Sequence, residues 1–294
     1  MREKIEYAFV KLFLWLAKVT PKSFIYVFVK GFTLLVYHLD KRRRLLTIKN
    51  LSMAYPEKSS QEIMILSKEV YIELSKTISE ILLMFVNRFD IDDAVLNKDE
   101  IIEKLQVLSE NSPQGVIAMT AHFSNWEILA HFLAKHGLCM LVVGRKGNNA
   151  LIEDNVTTPF RKKYGNDTAT KKKAMLTMIK RLKKGGNVGI LIDQKAGHLN
   201  SVKVDFFGTL AETTTSIAML KQKFNPEIIP FFIARVDNGK YKIIMKDAID
   251  YVAEEEEDEE KKLEKMTAKY NEVMESVIRE YPSQWFWMHN RWRI

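Results

Sequence analysis

Apolar and polar positions alternate along this chain with two different periods. Residues 59–86 carry an apolar side chain at every third or fourth position, which predicts a long helix capped by Ser59 or Ser60. The whole stretch 45–110 reads as helical. Residues 115–121 (GVIAMTA), 138–143 and 187–192 (NVGILI) are short continuous apolar runs, as expected for strands buried on both faces. Helices are predicted at 124–136, ended by Gly137, and at 150–164. A further helix at 171–184 puts Met175, Met178, Ile179 and Leu182 on one face and stops at Gly185. A helix at 213–224, strands at 228–234 and 241–245 and a closing helix at 259–280 complete the reading. Strands that alternate with helices in this way predict an α/β fold with a largely parallel or mixed central sheet flanked by helices.

The first forty residues differ from the rest. Residues 8–17 and 23–38 are apolar runs broken by Lys11 and Lys30, with Pro21 between them. Neither reaches the roughly 20 uncharged residues of a comfortable transmembrane helix. No small-residue cleavage site follows the first run, so it does not read as a secretory signal. Two amphipathic helices lying in a lipid headgroup region fit better. The cluster Lys41-Arg42-Arg43-Arg44 follows at once, and residues 1–60 hold twelve bases against four acids. Apolar area beside a polybasic patch is the pair of signals that binds anionic membrane lipid. We therefore divide the chain into a membrane-associating helical segment, 1–45, and a single α/β domain, 46–294.

Composition narrows the classes. Hydrophobic residues make up 47% and charged residues 28%, a globular balance. The net charge is +8 even though residues 254–260 are seven acids in a row, which read as a solvated loop and helix start. A basic surface suits polyanions, but no aromatic-basic nucleic-acid motif is present, so a nucleic-acid partner is not expected. One cysteine excludes an intrachain disulfide and a Cys-rich zinc site; neither a metal nor a cofactor is expected.

Candidate chemistry concentrates at His122-Phe123-Ser124-Asn125-Trp126-Glu127, where a buried strand gives way to a helix. In α/β sheets that edge binds ligands. A helix start also offers free backbone N–H groups that can stabilise an oxyanion. A carboxylate that accepts the Nδ1 proton of His122 would leave Nε2 as a general base, and Glu127 is the expected orienter. Ser124 and Asn125 suit capping. Arg145 and Asp193 end neighbouring strands at the same edge, with Gln194 beside Asp193.

The histidine–four residues–acid word after a buried strand resembles the lysophospholipid acyltransferase superfamily. The ordered words around it resemble the late (secondary) acyltransferases of lipid A biosynthesis. They are Arg43, Asn50-Leu51, Tyr55-Pro56-Glu57, His122 to Glu127, Gly144-Arg145-Lys146, Arg161 with Tyr164-Gly165, and Ile192-Asp193-Gln194. Asp205-Phe206-Phe207-Gly208, Ala211-Glu212-Thr213-Thr214 and the run from Tyr281-Pro282 to Arg291 follow in the same order.

The resemblance implies transfer of a fatty acyl chain from acyl-acyl carrier protein to a hydroxyl of a lipid A precursor, at the cytoplasmic face of a bacterial inner membrane. Arg145, Arg161, Asp193 and Gln194 are candidate substrate-binding residues at that edge, and Phe206 and Phe207 either line an acyl pocket or belong to the core. Two alternatives remain: the same chemistry on another lipid acceptor (a glycerophospholipid, an aminolipid or a glycosylated lipid), and a non-enzymatic basic membrane binder. Trp285, Trp287 and Trp292 with Arg291 and Arg293 read either as an interfacial aromatic-basic tail or as a packed C-terminal strand.

Overall fold

The structure is a computed structural model that describes residues 1–144, 147–170, 174–197, 200–250, 253–254 and 258–293. Helices α1 (Arg2–Val19), α2 (Lys22–Leu39), α3 (Lys41–Ala54) and α4 (Ser60–Phe85) come first. Asp40 ends α2 and caps α3 by accepting from Arg43 N at 3.0 Å, and the two helices bend by 87° there. Ser59 and Glu62 form a reciprocal capping box at the start of α4. The short α5 (Ile91–Ala94) and α6 (Lys98–Asn111) lead into the sheet.

Among the described residues six strands form the main sheet. They are β1 (Val116–Thr120), β2 (Met140–Gly144), β3 (Asp167–Thr170), β4 (Asn187–Leu191), β7 (Glu227–Arg235) and β8 (Tyr241–Met245), ordered β3-β2-β4-β1-β7-β8. The first five are parallel and β8 is an antiparallel edge, so the sheet is mixed. Helix α7 (Trp126–Lys135) follows β1. Three differences from the sequence reading stand out. The 150–164 helix is broken into α8 (Ala150–Ile152), a π-helical turn (Glu153–Thr157) and α9 (Thr158–Lys162). The polar strand β3 (DTAT) carries no apolar run and so gave no period to read. The third is a separate hairpin, β5 (Ser201–Phe206) and β6 (Thr209–Thr214), that takes the first residues assigned to the 213–224 helix. Helix α11 therefore spans only Ser216–Phe224, α10 covers Ala174–Leu182 and α12 covers Glu259–Glu280.

Strand alternation divides the core. Ile117 and Met119 face one layer with α4, α10, α11 and α12, while Val116 and Ala118 face α6 and α7. A third cluster seats Ala17, Ile25 and Val29 of the N-terminal helices on Leu82 and Leu83 of α4. Arg88 fastens the end of α1 by donating to the carbonyls of Ala17 and Thr20. Outward, α1 and α2 expose Phe9, Phe13, Trp15, Phe24, Val27, Phe28 and Phe32, with Val27 71% exposed. Among the described residues no single helix is long and apolar enough to cross a membrane, although the bent pair α2 and α3 meets that test together.

The C-terminal segment is packed, not interfacial. Trp285, Trp287 and Trp292 are buried in one aromatic cluster with Phe206, Phe207 and Tyr55. The segment runs antiparallel beside residues 122–124: Ser124 N donates to Gln284 O at 2.6 Å and Phe286 N to His122 O at 3.1 Å. The Gln284 side chain meanwhile clasps the end of β7, accepting from Arg235 N and donating to Arg235 O, both at 2.7 Å. Replacing Gln284 with Ala leaves both Arg235 groups without those partners. We expect a loss of about 1–3 kcal/mol, and about 2–4 °C in thermal midpoint for each kcal/mol. An unchanged midpoint in a thermal melt would show that the clasp contributes nothing.

Candidate active site

The site grows from strand register. β1 and β4 are parallel with Thr120 opposite Leu191, and Ile192 N donates to Thr120 O at 3.2 Å. Two residues further along, that register brings His122 level with Asp193. His122 Nδ1 lies 2.8 Å from Asp193 Oδ1. The second carboxylate oxygen, Oδ2, accepts from Trp285 Nε1 at 3.0 Å. Asp193 is buried at 2% exposure, whereas the His122 side chain is 26% exposed. Burial works against the Asp193 carboxylate, but the charge and hydrogen bond of His122, with the Trp285 bond, hold its pKa below the ordinary 3.8.

A carboxylate can only accept, so Nδ1 carries a proton; in the neutral form of the ring Nε2 is then the unprotonated nitrogen. Nε2 lies 3.3 Å from Gln194 Nε2, an amide that can donate to it. The ring sits against Trp126, edge-on at 5.1 Å between centroids, with Phe286 at 6.5 Å. It opens into a narrow cleft between α4 and the C-terminal segment, flanked by Leu74, Thr77 and Met288.

Glu127 stands elsewhere. The Nδ1 hydrogen bond expected of it is made by Asp193 instead, because neighbouring parallel strands end side by side while Glu127 has already entered the first turn of α7. Its carboxylate is half-buried and forms no hydrogen bond or ion pair with another described residue. The negative charge suits a helix start. Asn125 is the cap: its Oδ1 accepts from Ile128 N at 3.2 Å. The amides of Trp126 and Glu127 meet no intrachain acceptor among the described residues, as is usual in the first turn of a helix. Ser124, between His122 and the cap, has φ 50°, a left-handed conformation that costs an L residue about 1–2 kcal/mol.

Arg161 is brought to the same sheet edge: its guanidinium packs over Gly144, the last residue of β2, where Nη1 would lie 2.8 Å from an added Cβ. Arg145 lies outside the described residues. Phe206 and Phe207 are in the aromatic core, at 0% and 4% exposure, rather than along the cleft beside His122.

The comparisons with known proteins bear on this geometry. Residues 2–294 match the family described as bacterial lipid A biosynthesis acyltransferase. The chain belongs to this family. It is 27% identical over 285 residues to the lipid A biosynthesis lauroyltransferase of Escherichia coli K12, covering 95% of this chain and 89% of that protein. A lipid A biosynthesis acyltransferase of Haemophilus influenzae is 25% identical over 268 residues, 90% of this chain and 82% of the relative. The E. coli K12 lipid A biosynthesis palmitoleoyltransferase is 24% identical over 260 residues, 86% and 79%.

The protein is thus an acyltransferase of lipid A biosynthesis, and the scattered words of its sequence converge on the site. Asn50 Nδ2 donates to Trp287 O at 2.8 Å and His289 O at 2.9 Å. His289 Nε2 accepts from Lys195 N at 3.0 Å, two residues beyond Asp193. Arg291, fully buried, donates to the Glu212 carbonyl and to Thr213 Oγ1; burial lowers its pKa to about 10. Sequence reasoning missed Trp285 as a partner of Asp193; only knowledge of how residues 284–286 pair with residues 122–124 would have found it.

A pH dependence follows from Asp193. Its pKa is depressed in the folded chain, so its contribution to stability is complete above the unfolded value and is lost as pH falls through the lower folded one. Urea melts of the wild type and of Asp193→Asn should diverge in slope from about pH 5 downward, with the variant losing less stability on acidification. Parallel curves would exclude the carboxylate as a contributor.

Proposed function

We propose that this acyltransferase moves a fatty acyl chain from an acyl carrier protein thioester to a hydroxyl of a lipid A precursor, with His122 as general base, at the cytoplasmic face of the inner membrane. The observation that carries the reading is the Asp193–His122 contact. It fixes the tautomer that leaves Nε2 as the basic nitrogen, on a ring that lines the cleft. The acceptor hydroxyl displaces Gln194 from Nε2 and gives up its proton there. Its oxygen attacks the thioester carbonyl carbon, and the oxyanion is met by the helix-start amides of α7. The carbon–sulfur bond then breaks and the carrier thiolate takes the proton from Nε2. No bound metal or cofactor enters these steps. Glu127, free of other described partners on the first turn of α7, is the carboxylate available to the imidazolium or to the substrates. Arg161 supplies a cation at the same edge for an anionic substrate group.

The outward apolar residues of α1 and α2, with Lys41, Arg42 and Arg43 exposed beside them, support a lipid surface as the place of work. Binding to vesicles rich in anionic lipid should weaken as salt rises; binding indifferent to lipid charge would argue against the basic patch.

The catalytic reading is tested with purified protein, acyl-acyl carrier protein and a lipid A precursor, with product mass as the readout. His122→Ala should lower turnover by roughly 100- to 10,000-fold without unfolding the chain, and Glu127→Ala should lose activity as well. Near-normal turnover in His122→Ala would sink the reading.

A further inference from the structure

A buried charge cluster on α4 is in contact with the loop that carries His122. Glu80, on α4, is 2% exposed. Arg235 grips its carboxylate with both Nη1 and Nη2, and Tyr241 donates its hydroxyl to Oε2. Arg235 is itself buried at 7% exposure and turns Nε to Glu73 at 2.9 Å. As an ion pair alone this would be a core charge neutralised in place. A further donor gives it a second meaning: Asn125 Nδ2 donates to Glu80 Oε2 at 3.0 Å.

Asn125 is fully buried and engaged at both ends of its amide. Nδ2 goes to Glu80 and Oδ1 to the start of α7. One helical turn before Glu80, Thr77 Oγ1 donates to Ser124 O at 3.2 Å. Thus α4 grips two successive loop residues, 124 and 125, from one face. The hydrogen bonds close a ring: Glu80 holds Arg235, Arg235 backbone is clasped by Gln284, Gln284 carbonyl takes Ser124 N, and Asn125 returns to Glu80. Inside that ring sits the left-handed Ser124, a conformation that persists only where its surroundings over-determine it.

We propose that Glu80 is a positioning residue for acyl transfer: anchored by Arg235, it fixes Asn125 and so the turn that aims His122 and starts α7. It touches no substrate and acts through Asn125. The proposal rests on the reading of His122 as the base.

The test separates the link from the cap. Asn125→Ser keeps a side chain that caps helices about as well as Asn but is too short to reach Glu80. Asn125→Ser and Glu80→Gln, in the full-length chain, should each lower kcat by roughly 10- to 100-fold and leave KM for donor and acceptor within about twofold. The double variant should be no slower than the worse single one, because both changes act on the same link, one at Asn125 and one at the anchoring of residue 80 by Arg235. A wild-type kcat in Asn125→Ser overturns the proposal, as do losses that multiply in the double variant. If Glu80→Gln does not fold, shown by its circular dichroism, Asn125→Ser decides alone. His122→Ala, run alongside, reports separately on the base: retained transfer there strikes the underlying reading, whatever the Asn125 variant does.

Discussion

The parallel register between β1 and β4 is the constraint on which the site depends. It sets two strand ends level, and the residues just beyond them, His122 and Asp193, meet at 2.8 Å. A one-residue slip would turn every side chain of one strand to the opposite face. Here a slip would separate the imidazole from its carboxylate and also move Ile117 and Met119 out of the layer they share with Val188 and Ile190. Core packing and catalytic alignment are therefore held by the same hydrogen-bonded ladder. The site needs no flexible loop to bring imidazole and carboxylate together.

Burial of Asp193 is tolerable because both of its oxygens are engaged, one by His122 and one by Trp285. Trp285 is available only because the C-terminal segment returns to pair with residues 122–124. The last residues of the chain thus complete a site begun at residue 122. That explains why the C-terminal tryptophans are buried rather than set at a surface. Their ring area builds the core around Phe206 and Phe207, and their N–H groups find acceptors at Asp193, the Pro282 carbonyl and the Phe206 carbonyl.

Much of this was legible in the sequence where a single period governed. The buried runs at 116–120 and 187–191 and the closing helix Glu259–Glu280 have strong local signals and fell where expected. β3 was missed because its polar residues follow neither the helical nor the buried-strand pattern, and the β5–β6 hairpin because the alternation of Val202, Val204 and Phe206 with polar residues is only three apolar positions long. Within the site, the placement of His122 at a strand end was readable, and so was the presence of Asp193 at the same edge. Which carboxylate meets Nδ1 was not. Spacing along the chain favours Glu127, five residues away, while the contact is made across 71 residues by strand pairing. Glu80 gave no signal at all, since a single acid on an amphipathic helix looks like any solvated residue until Arg235 is folded against it.

Helix α4 explains how the exposed apolar faces of α1 and α2 and the turn that carries His122 can be held in fixed relation. It is 26 residues long, about 39 Å at 1.5 Å per residue. Leu82 and Leu83 near its end seat α1 and α2, while Thr77 and Glu80, less than two turns earlier, hold Ser124 and Asn125. Tyr26 on α2 reaches Glu80 as well, at 3.5 Å. The helices proposed to meet the membrane and the loop that carries His122 are therefore bonded to adjacent turns of one rigid element. With no hinge between them, docking α1 and α2 on a lipid surface would also set the height and tilt of the cleft. An acceptor anchored in that surface by its acyl chains would then meet His122 through its fixed depth, without the enzyme having to bind the whole lipid.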